Sequence, residues 1–325
     1  MVEVRCSLPD NEPLLKSVAR LVFQQRFIAT WCFLKVVRLV QSGKEDYQKD
    51  FQFIKFANRF CKKRLPKGFH DSFLDYVKSF GGKLDMFDSV IAPNWWKDKR
   101  VIEVGSGLGE SAHQMAINGV KRIVGVEYSP LKVAWAQSYF LDKAPGNLDF
   151  SVGSVEELNF SNSEFDFAYS NSLLEHVAHP QKALKELYRV VKPGGELALT
   201  IDYYHAPAGD HLYDYIFFPW ATTLVSEESL CRYWSDRLKE DQRSGKMGFY
   251  SSETHVRHLG EGSEIQLNKW NSDQMEQAMV EAGWSIAKKV PLFYLGGLPI
   301  IRSCKKLKYY LQGPCAYRLV KNIHR

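Results

Sequence analysis

The strongest constraint on the fold of this chain is a turn of alternating glycines between a predicted strand and a predicted helix. Residues 101–104 form a largely apolar run, and three glycines follow it: Gly105, Gly107 and Gly109. A second apolar run at residues 122–127 ends in Glu127. A strand, a glycine-rich turn, a helix and a second strand that ends in an acid together predict a nucleotide-binding βαβ unit.

The spacing of these glycines argues against a dinucleotide as the ligand. The dinucleotide fingerprint needs its third glycine at position 110, where this chain has Glu110. Glu103 and Glu110 flank the turn, and their carboxylates disfavour the phosphates that bind at a helix N-terminus. A ligand that joins a cationic group to an adenosine fits better, because Glu127 can accept hydrogen bonds from both ribose hydroxyls. S-adenosylmethionine has these features and carries no phosphate.

At these residues the chain resembles the class I S-adenosylmethionine-dependent methyltransferases, in particular the small-molecule subgroup often called type 11. Further segments follow in the order of that family: a third strand with the adenine loop at 148–158, a fourth strand at 165–171, the loop beneath the methionine moiety at 172–177, and a helix end, turn and fifth strand at 189–200. The family usually has an aspartate where this chain has Ser154. A serine hydroxyl binds the adenine amino group less strongly than an anion does.

The resemblance implies an α/β fold, a Rossmann-like doubly wound and mainly parallel sheet, with S-adenosylmethionine as the cofactor. Strands that alternate with helices over residues 96–202 predict the same parallel sheet, whose ligands bind at the carboxyl ends of the strands. The cofactor-binding residues are then expected to be Glu103, Gly105, Ser106, Gly107, Gly109, Glu127, Tyr128, Ser154, Val155 and Asn171.

The rest of the chain is predicted to surround this core at residues 96–202. Residues 1–95 form a helical N-terminal cap, with apolar residues at helical spacing over 14–40 and 47–60. Residues 203–268 form a substrate-binding insertion that acts as a lid after the fifth strand. Residues 269–303 complete the sheet, with a helix over 272–282 whose N-cap is expected at Ser272, a sixth strand at 284–290 and a returning strand near 292–303. Residues 304–325 form a basic C-terminal tail.

Histidines near the predicted ligand edge are the candidates for a general base. A base is needed only when the methyl acceptor holds its proton at neutral pH, as an alcohol does. The candidates are His176 after the fourth strand, and His205 and His211 in the insertion. Each has an alternative role in shaping its loop or in binding substrate. His205 and His211 lie beside Asp202, Asp210 and Asp214, with which they could form a His–Asp pair or hold a divalent metal, although no metal site is predicted. Aromatic side chains of the insertion offer either a substrate wall or additional core.

Composition and charge limit the partners. The net charge of +6 on 325 residues is too small to indicate nucleic acid by itself. The six cysteines are dispersed without zinc spacing, which indicates reduced thiols and a cytoplasmic protein. The basic tail, with residues such as Tyr317, Arg318 and Lys321, suits either peripheral contact with an anionic membrane or a solvated terminal helix.

These observations predict a methyltransferase that acts on a small molecule, a glycan or a lipid-linked acceptor, most simply at oxygen. A protein or RNA methyltransferase is one alternative, although residues 171–174 lack the Pro-Pro-Tyr type of amide-recognition motif. A non-catalytic scaffold that keeps the cofactor site is a second. An NAD-dependent enzyme is a third, and the spacing of the glycines disfavours it.

Overall fold

The computed structural model describes residues 34, 47–64, 87, 89–206, 215–243, 268–291 and 313–323. Its centre is a seven-stranded sheet in the order β3-β2-β1-β4-β5-β7-β6. The strands are β1 Arg100–Val104, β2 Arg122–Glu127, β3 Leu148–Val152, β4 Phe165–Asn171, β5 Val191–Ile201, β6 Trp284–Pro291 and β7 Cys315–Lys321. Strands β1 to β5 are parallel, and β7 runs antiparallel to its neighbours β5 and β6. The predicted doubly wound sheet is confirmed.

Helices connect the strands and cover both faces of the sheet. Within the described residues they are α1 Tyr47–Arg64, α2 Glu110–Ile117, α3 Pro130–Phe140, α4 Pro180–Val190, α5 Ala221–Leu224, α6 Glu227–Arg243 and α7 Ser272–Glu281. Ile102 and Val104 pack with α4 and α7 on one face, whereas Val101 packs with α2 and α3 on the other. Burial on both faces explains why the central strands are apolar almost throughout. No helix in the described part of the chain is long and apolar enough to span a membrane.

Strand β7 corrects the prediction for the C-terminus. It lies in the segment that the sequence predicted as a basic tail, and it fills the position between β5 and β6. The strand that lies between β5 and β6 is Cys315–Lys321, and the predicted strand near 292–303 lies outside the described residues. Pairing with two strands buries its backbone and most of its side chains.

The polar side chains of this strand have partners inside the fold. Tyr317 is fully buried, and its hydroxyl donates to Glu276 Oε1 at 2.9 Å. Arg318 forms two hydrogen bonds with the carboxylate of Glu196. The ammonium of Lys321 donates to two backbone carbonyls at the junction of α4 and β5. The remaining lysines of the predicted tail lie outside the described residues.

The predicted helices are present where the structure describes them. Helix α1 covers the predicted 47–60 and extends to Arg64. Helix α7 is capped by Asn271 and not by Ser272, because the Asn271 side chain accepts from the N–H groups of Asp273 and Gln274. The Gln274 side chain accepts in return from the Asn271 N–H, which completes a capping box. The predicted helix at 14–40 lies outside the described residues, apart from Leu34.

The N-terminal cap and the insertion share one hydrophobic cluster, which we call the helical unit. It joins α1 to residues 215–225 and α6, and its buried side chains include Phe53, Ile54, Trp220, Leu230 and Trp234. Asn58 of α1 fixes the contact, because its amide donates to the Tyr215 carbonyl at 2.7 Å and accepts from the Phe217 N–H at 2.8 Å. Two segments that are far apart in the chain therefore form a single layer.

Candidate active site

The residues predicted to bind ligand lie at one edge of the sheet. Gly105 follows β1, Glu127 ends β2, Ser154 lies two residues beyond β3, and Asn171 ends β4. The register pairs Val104 with both Val126 and Ser170, so these strands end at the same level. The carboxyl ends of parallel strands therefore bring together side chains from four separate segments.

The glycine turn brings the backbone close to any ligand at this edge. Gly105, Gly107 and Gly109 have φ values of 71°, 55° and 89°, which favour glycine. A Cβ at Gly109 would lie 2.6 Å from the Phe150 ring, so this glycine is also needed for packing. A Cβ at Gly107 would meet nothing within 4 Å, which leaves open space over the turn.

Glu127 is oriented by two backbone donors. Its Oε2 accepts from the Gly107 N–H at 3.0 Å, and its Oε1 accepts from the Ser129 N–H at 3.1 Å. Each carboxylate oxygen has two acceptor positions, so one on each oxygen is left for another donor. A ribose carries two neighbouring hydroxyls that match this arrangement.

Glu103 places a second carboxyl beneath the turn. It is buried, and its Oε2 has no hydrogen-bond partner. Burial raises the pKa of Glu103 well above its usual range, and the charges of Glu110 and Glu127 raise it further, while the Ala112 N–H lowers it. The hydroxyl of Ser106 is likewise buried without a partner. A cationic ligand would stabilise the ionised form of this carboxyl, whereas a phosphate would disfavour it.

These groups fit S-adenosylmethionine. Glu127 would hold the ribose, Glu103 would face the cationic methionine end of the molecule, and Gly107 would allow its close approach. Tyr128 is largely exposed beside Glu127, and its ring is free to cover the adenine. Ser154 Oγ accepts from the Glu156 N–H at 3.1 Å, and its oxygen can accept one more hydrogen bond. Val155 is buried, and its contact with the cofactor stays a prediction.

The loop after β4 connects the glycine turn to β5. Asn171 Oδ1 accepts from the Thr200 hydroxyl at 2.5 Å, and Thr200 Oγ1 accepts from the Ser172 N–H at 3.0 Å. Ser172 has a φ of 48°, a conformation that non-glycine residues rarely adopt. The Leu173 side chain lies against Gly105, where a Cβ would approach it to 3.0 Å. The Asn171 side chain is therefore engaged with β5, and its cofactor contact stays a prediction.

The structure describes two of the three candidate histidines, and they lie in different loops. His176 lies half-buried in the loop after β4, and its backbone N–H donates to the Leu173 carbonyl at 2.8 Å. His205 is half-buried beyond β5, and burial together with the charge of Lys269 lowers the pKa of its imidazole. A neutral imidazole can accept a proton at neutral pH. His211 lies outside the described residues.

A pair of buried carboxyls at this edge was not singled out from the sequence. Asp202 immediately follows β5, and its N–H donates to Glu175 Oε1 at 3.1 Å. Burial raises the pKa of Asp202 to about 6, which the hydrogen bond from Ser172 partly counteracts. Burial and the charge of Asp202 raise the pKa of Glu175 well above its usual range. The sequence indicates Asp202 only as a neighbour of His205, and the register of β4 against β5 is what brings it to Glu175.

The sheet order, the glycine turn and the acid that ends β2 define a nucleoside-binding α/β domain. Residues 102–199 match the family model described as a methyltransferase domain. This part of the chain is a class I S-adenosylmethionine-dependent methyltransferase domain, and its cofactor is S-adenosylmethionine.

Curated relatives match only part of the chain. O-methyltransferase rstn1 of Aspergillus nomiae is 33% identical over 105 residues, which cover 32% of this chain and 47% of the relative. The ubiquinone biosynthesis O-methyltransferase of Dechloromonas aromatica is 32% identical over 119 residues, which cover 36% of this chain and 49% of the relative. The chain thus spans about half the length of these relatives.

A putative S-adenosylmethionine-dependent methyltransferase from Listeria monocytogenes is similar in structure. It has a TM-score of 0.49 and 13% sequence identity, and the match covers 76% of this chain and 99% of that structure.

Proposed function

We propose that the protein transfers the methyl group of S-adenosylmethionine to a hydroxyl oxygen of a small molecule, a glycan or a lipid-linked acceptor. The observation that carries this proposal is the carboxylate of Glu127, held by the N–H groups of Gly107 and Ser129 beside the unpartnered oxygen of Glu103. This arrangement suits a ribose joined to a cation. When bound, the cofactor supplies an electrophilic methyl group.

The residues of the chain bind and orient the reactants. Methyl transfer is an in-line displacement, so its rate depends on the alignment of the acceptor atom with the methyl group and on the exclusion of water. We place the cofactor at the ends of β1, β2 and β3. The methyl acceptor would then bind at the loops that follow β4 and β5, which we call the acceptor side. Ser172, His176 and His205 are polar residues of those loops that remain partly exposed.

Oxygen as the acceptor atom is supported by two observations. Relatives named as O-methyltransferases, rstn1 among them, match the same part of the chain. The acceptor side also carries groups that can take a proton at neutral pH, namely His205 and Asp202. Transfer to an alcohol or phenol needs such a group, whereas transfer to an amine that is already unprotonated does not.

The exposure of the aromatic residues of the insertion indicates which of them could contact a methyl acceptor. Most of those described are buried in the core or the helical unit: Tyr203, Tyr204, Phe218, Trp220, Tyr233 and Trp234. Tyr215 and Phe217 remain partly exposed, on either side of Ile216. We propose that these two rings belong to the acceptor pocket and that the others support it.

Transfer of a labelled methyl group tests the proposal. S-adenosylmethionine labelled in its methyl group is incubated with the protein and with phenol, catechol, glucose, and aqueous and lipid fractions of the source cell. We expect label in at least one acceptor as a methyl ether, recognised by mass spectrometry. Glu127→Ala should abolish the transfer at low cofactor concentration, whereas Glu281→Ala, an exposed glutamate on α7, should leave it unchanged. Label found on nitrogen or carbon would contradict O-methylation, and no label in any fraction would contradict the activity.

A further inference from the structure

We propose that Asp202 is the proton acceptor of the methyl transfer and that the Ser172 hydroxyl passes the acceptor's proton to it. The inference rests on the proposed O-methylation and assigns the base to a carboxyl in place of the three candidate histidines. It follows from the way in which the ends of β4 and β5 lie side by side.

Ser172 and Asp202 are the first residues after the neighbouring strands β4 and β5. Asn171, the last residue of β4, pairs with Thr200 of β5, so the residues beyond them meet at the ligand edge. The Ser172 hydroxyl donates to Asp202 Oδ2 at 3.2 Å. Ser172 is partly exposed and Asp202 is buried, so a ligand can reach the hydroxyl but not the carboxyl. The hydroxyl is therefore the only member of this pair that can touch an acceptor.

The pair also lies close to the cofactor side of the edge. Leu173, the next residue after Ser172, packs directly on Gly105 of the glycine turn. Because β4 lies between β1 and β5 in the sheet, the Ser172 hydroxyl stands between the turn that receives the cofactor and the carboxyl of Asp202. With the groups in this order, the proton of the acceptor would move through Ser172 to Asp202, away from the methyl group.

Glu175 gives an independent indication of a polar function at this place. Its Oε1 accepts from the Asp202 N–H, but its Oε2 is buried and has no partner. An unpaired buried carboxyl oxygen costs stability, so its presence here indicates that the group has a function. Burial and the charge of Asp202 raise the pKa of Glu175, which favours its protonated form beside Asp202.

Other titratable groups surround Asp202 on several elements. They are Glu175 in the loop after β4, Tyr203 and His205 on its own segment, Lys269 beside His205, and, one contact further, Tyr317 of β7 and Glu276 of α7. The pKa of Tyr203 is also raised, so this phenol stays neutral. The pKa of Asp202 is raised to about 6 and the pKa of His205 is lowered, so a test of pH dependence must separate these two groups.

The proposed step balances in atoms and charge. The acceptor oxygen forms a bond to the methyl carbon, and the bond from that carbon to the sulfonium breaks with its electron pair remaining on sulfur. The acceptor's hydroxyl proton moves to Ser172 Oγ, while the Ser172 proton moves to Asp202 Oδ2. The positive charge of the sulfonium and the negative charge of Asp202 are lost together. The products are a methyl ether, a neutral thioether and a protonated Asp202.

Asp202→Asn tests the proposal, with Asp142→Asn at an exposed site as the matched control. We expect kcat for methylation of the fraction labelled by the unmodified protein to fall by about 100-fold or more. The affinity for S-adenosylhomocysteine, measured by calorimetry, should change by less than about twofold, because Asp202 acts on the acceptor side. Ser172→Ala should lower kcat in the same way, and Asp142→Asn should do neither.

Two further measurements separate a proton acceptor from a structural residue. The kcat of the unmodified protein should fall below about pH 6, and this acid limb should persist in His205→Gln and be absent from the residual activity of Asp202→Asn. Without cofactor, Asp202→Asn should raise Tm relative to the unmodified protein well above pH 6, because the amide removes the cost of an ionised buried carboxyl. The gain should disappear in acid, where Asp202 is protonated in both the folded and the unfolded chain.

The outcomes distinguish this inference from the proposed function. If the unmodified protein methylates an acceptor and Asp202→Asn retains its kcat, the assignment of the base is wrong and the methyltransferase activity stands. An acid limb that is lost in His205→Gln and kept in Asp202→Asn would overturn the inference in favour of the histidine. If the unmodified protein methylates none of the acceptors, the proposed function fails and this inference fails with it.

Discussion

Glu127 combines two functions in one carboxylate. It accepts from the N–H groups of Gly107 and Ser129, which fixes the glycine turn, and it keeps acceptor positions for a ribose. Such pre-orientation lowers the entropy that a ligand must lose when it binds. A glutamate at the end of β2 is therefore both a structural and a binding residue.

Removal of this carboxylate should weaken cofactor binding more than it weakens the fold. Glu127→Ala would lose two charge-assisted hydrogen bonds to the ribose, worth about 3 kcal/mol together, or about 100-fold in affinity. Calorimetric titration with S-adenosylhomocysteine measures the change, and circular dichroism checks the fold. An unchanged affinity would refute the ribose assignment, whereas Glu281→Ala should bind as the unmodified protein does.

At the residue scale, the sequence predicts contacts that are local in the chain. The glycine turn and Glu127 belong to one βαβ unit, so their spacing alone indicates their neighbourhood. The contact between Glu175 and Asp202 joins two loops that follow different strands, and only the register of β4 against β5 brings them together. Sequence spacing carries no information about such a pair, although it does place Asp202 beside His205.

At the element scale, β7 shows why a charged segment can be mistaken for a surface tail. Arg318 and Lys321 suggest exposure in the sequence, but their partners are Glu196 and two carbonyls at the α4–β5 junction. The alternation of Cys315, Tyr317 and Leu319 carries the strand pattern, and these three side chains are fully buried. Pairing across the sheet therefore decided the structure of this segment, and net charge did not.

The central position of β7 leads to a stability prediction. Tyr317 is fully buried, and its hydroxyl lies 2.6 Å from that of Tyr203. Tyr317→Ala should lower the free energy of unfolding by about 4 kcal/mol, because it leaves a cavity and an unpaired Tyr203 hydroxyl. Denaturant unfolding followed by tryptophan fluorescence measures this loss. The half-exposed Tyr139→Ala, which loses the stacking of its ring on Trp135, should cost about 1 kcal/mol and so far less than Tyr317→Ala.

A small effect of Tyr317→Ala would mean that β7 is dispensable for the sheet, as a tail would be.

At the same scale, the sequence was sufficient for α1 and for β1 to β6, where periodicity and turn residues mark each element. The cap of α7 was misplaced by one residue because Asn271 and Ser272 are both good capping residues. Only the bonds from Asp273 and Gln274 identify Asn271.

At the scale of the whole molecule, the sheet order separates two functions. The turn and acid that hold the cofactor belong to β1 and β2, whereas Ser172, Asp202 and His205 belong to the loops after β4 and β5. The sequence predicts this division from the alternation of strands and helices. It does not predict that α1 and α6 form one helical unit, because the hydrogen bonds of Asn58 join residues more than 150 positions apart.

The buried acids link the stability of the whole molecule to pH and to the cofactor. Glu103 has a raised pKa, so its stabilising effect is complete below the pKa of an unfolded glutamate and is lost as the pH rises through its folded pKa. His205, with a lowered pKa, loses its contribution in the opposite direction, as the pH falls. Comparison with Glu103→Gln isolates the glutamate, because both proteins keep the histidine.

We expect Glu103→Gln to be more stable than the unmodified protein at alkaline pH when no cofactor is present, and similar to it in acid. S-adenosylmethionine should reverse this order, because its cationic end favours the ionised form of Glu103 and gains nothing from an amide. Bound at 100 times its Kd, a ligand adds about 2.7 kcal/mol, so thermal unfolding with and without cofactor across pH resolves both effects. Equal cofactor stabilisation of the two proteins at alkaline pH would show that Glu103 does not face the cation, and the fit of the site would then rest on Glu127 alone.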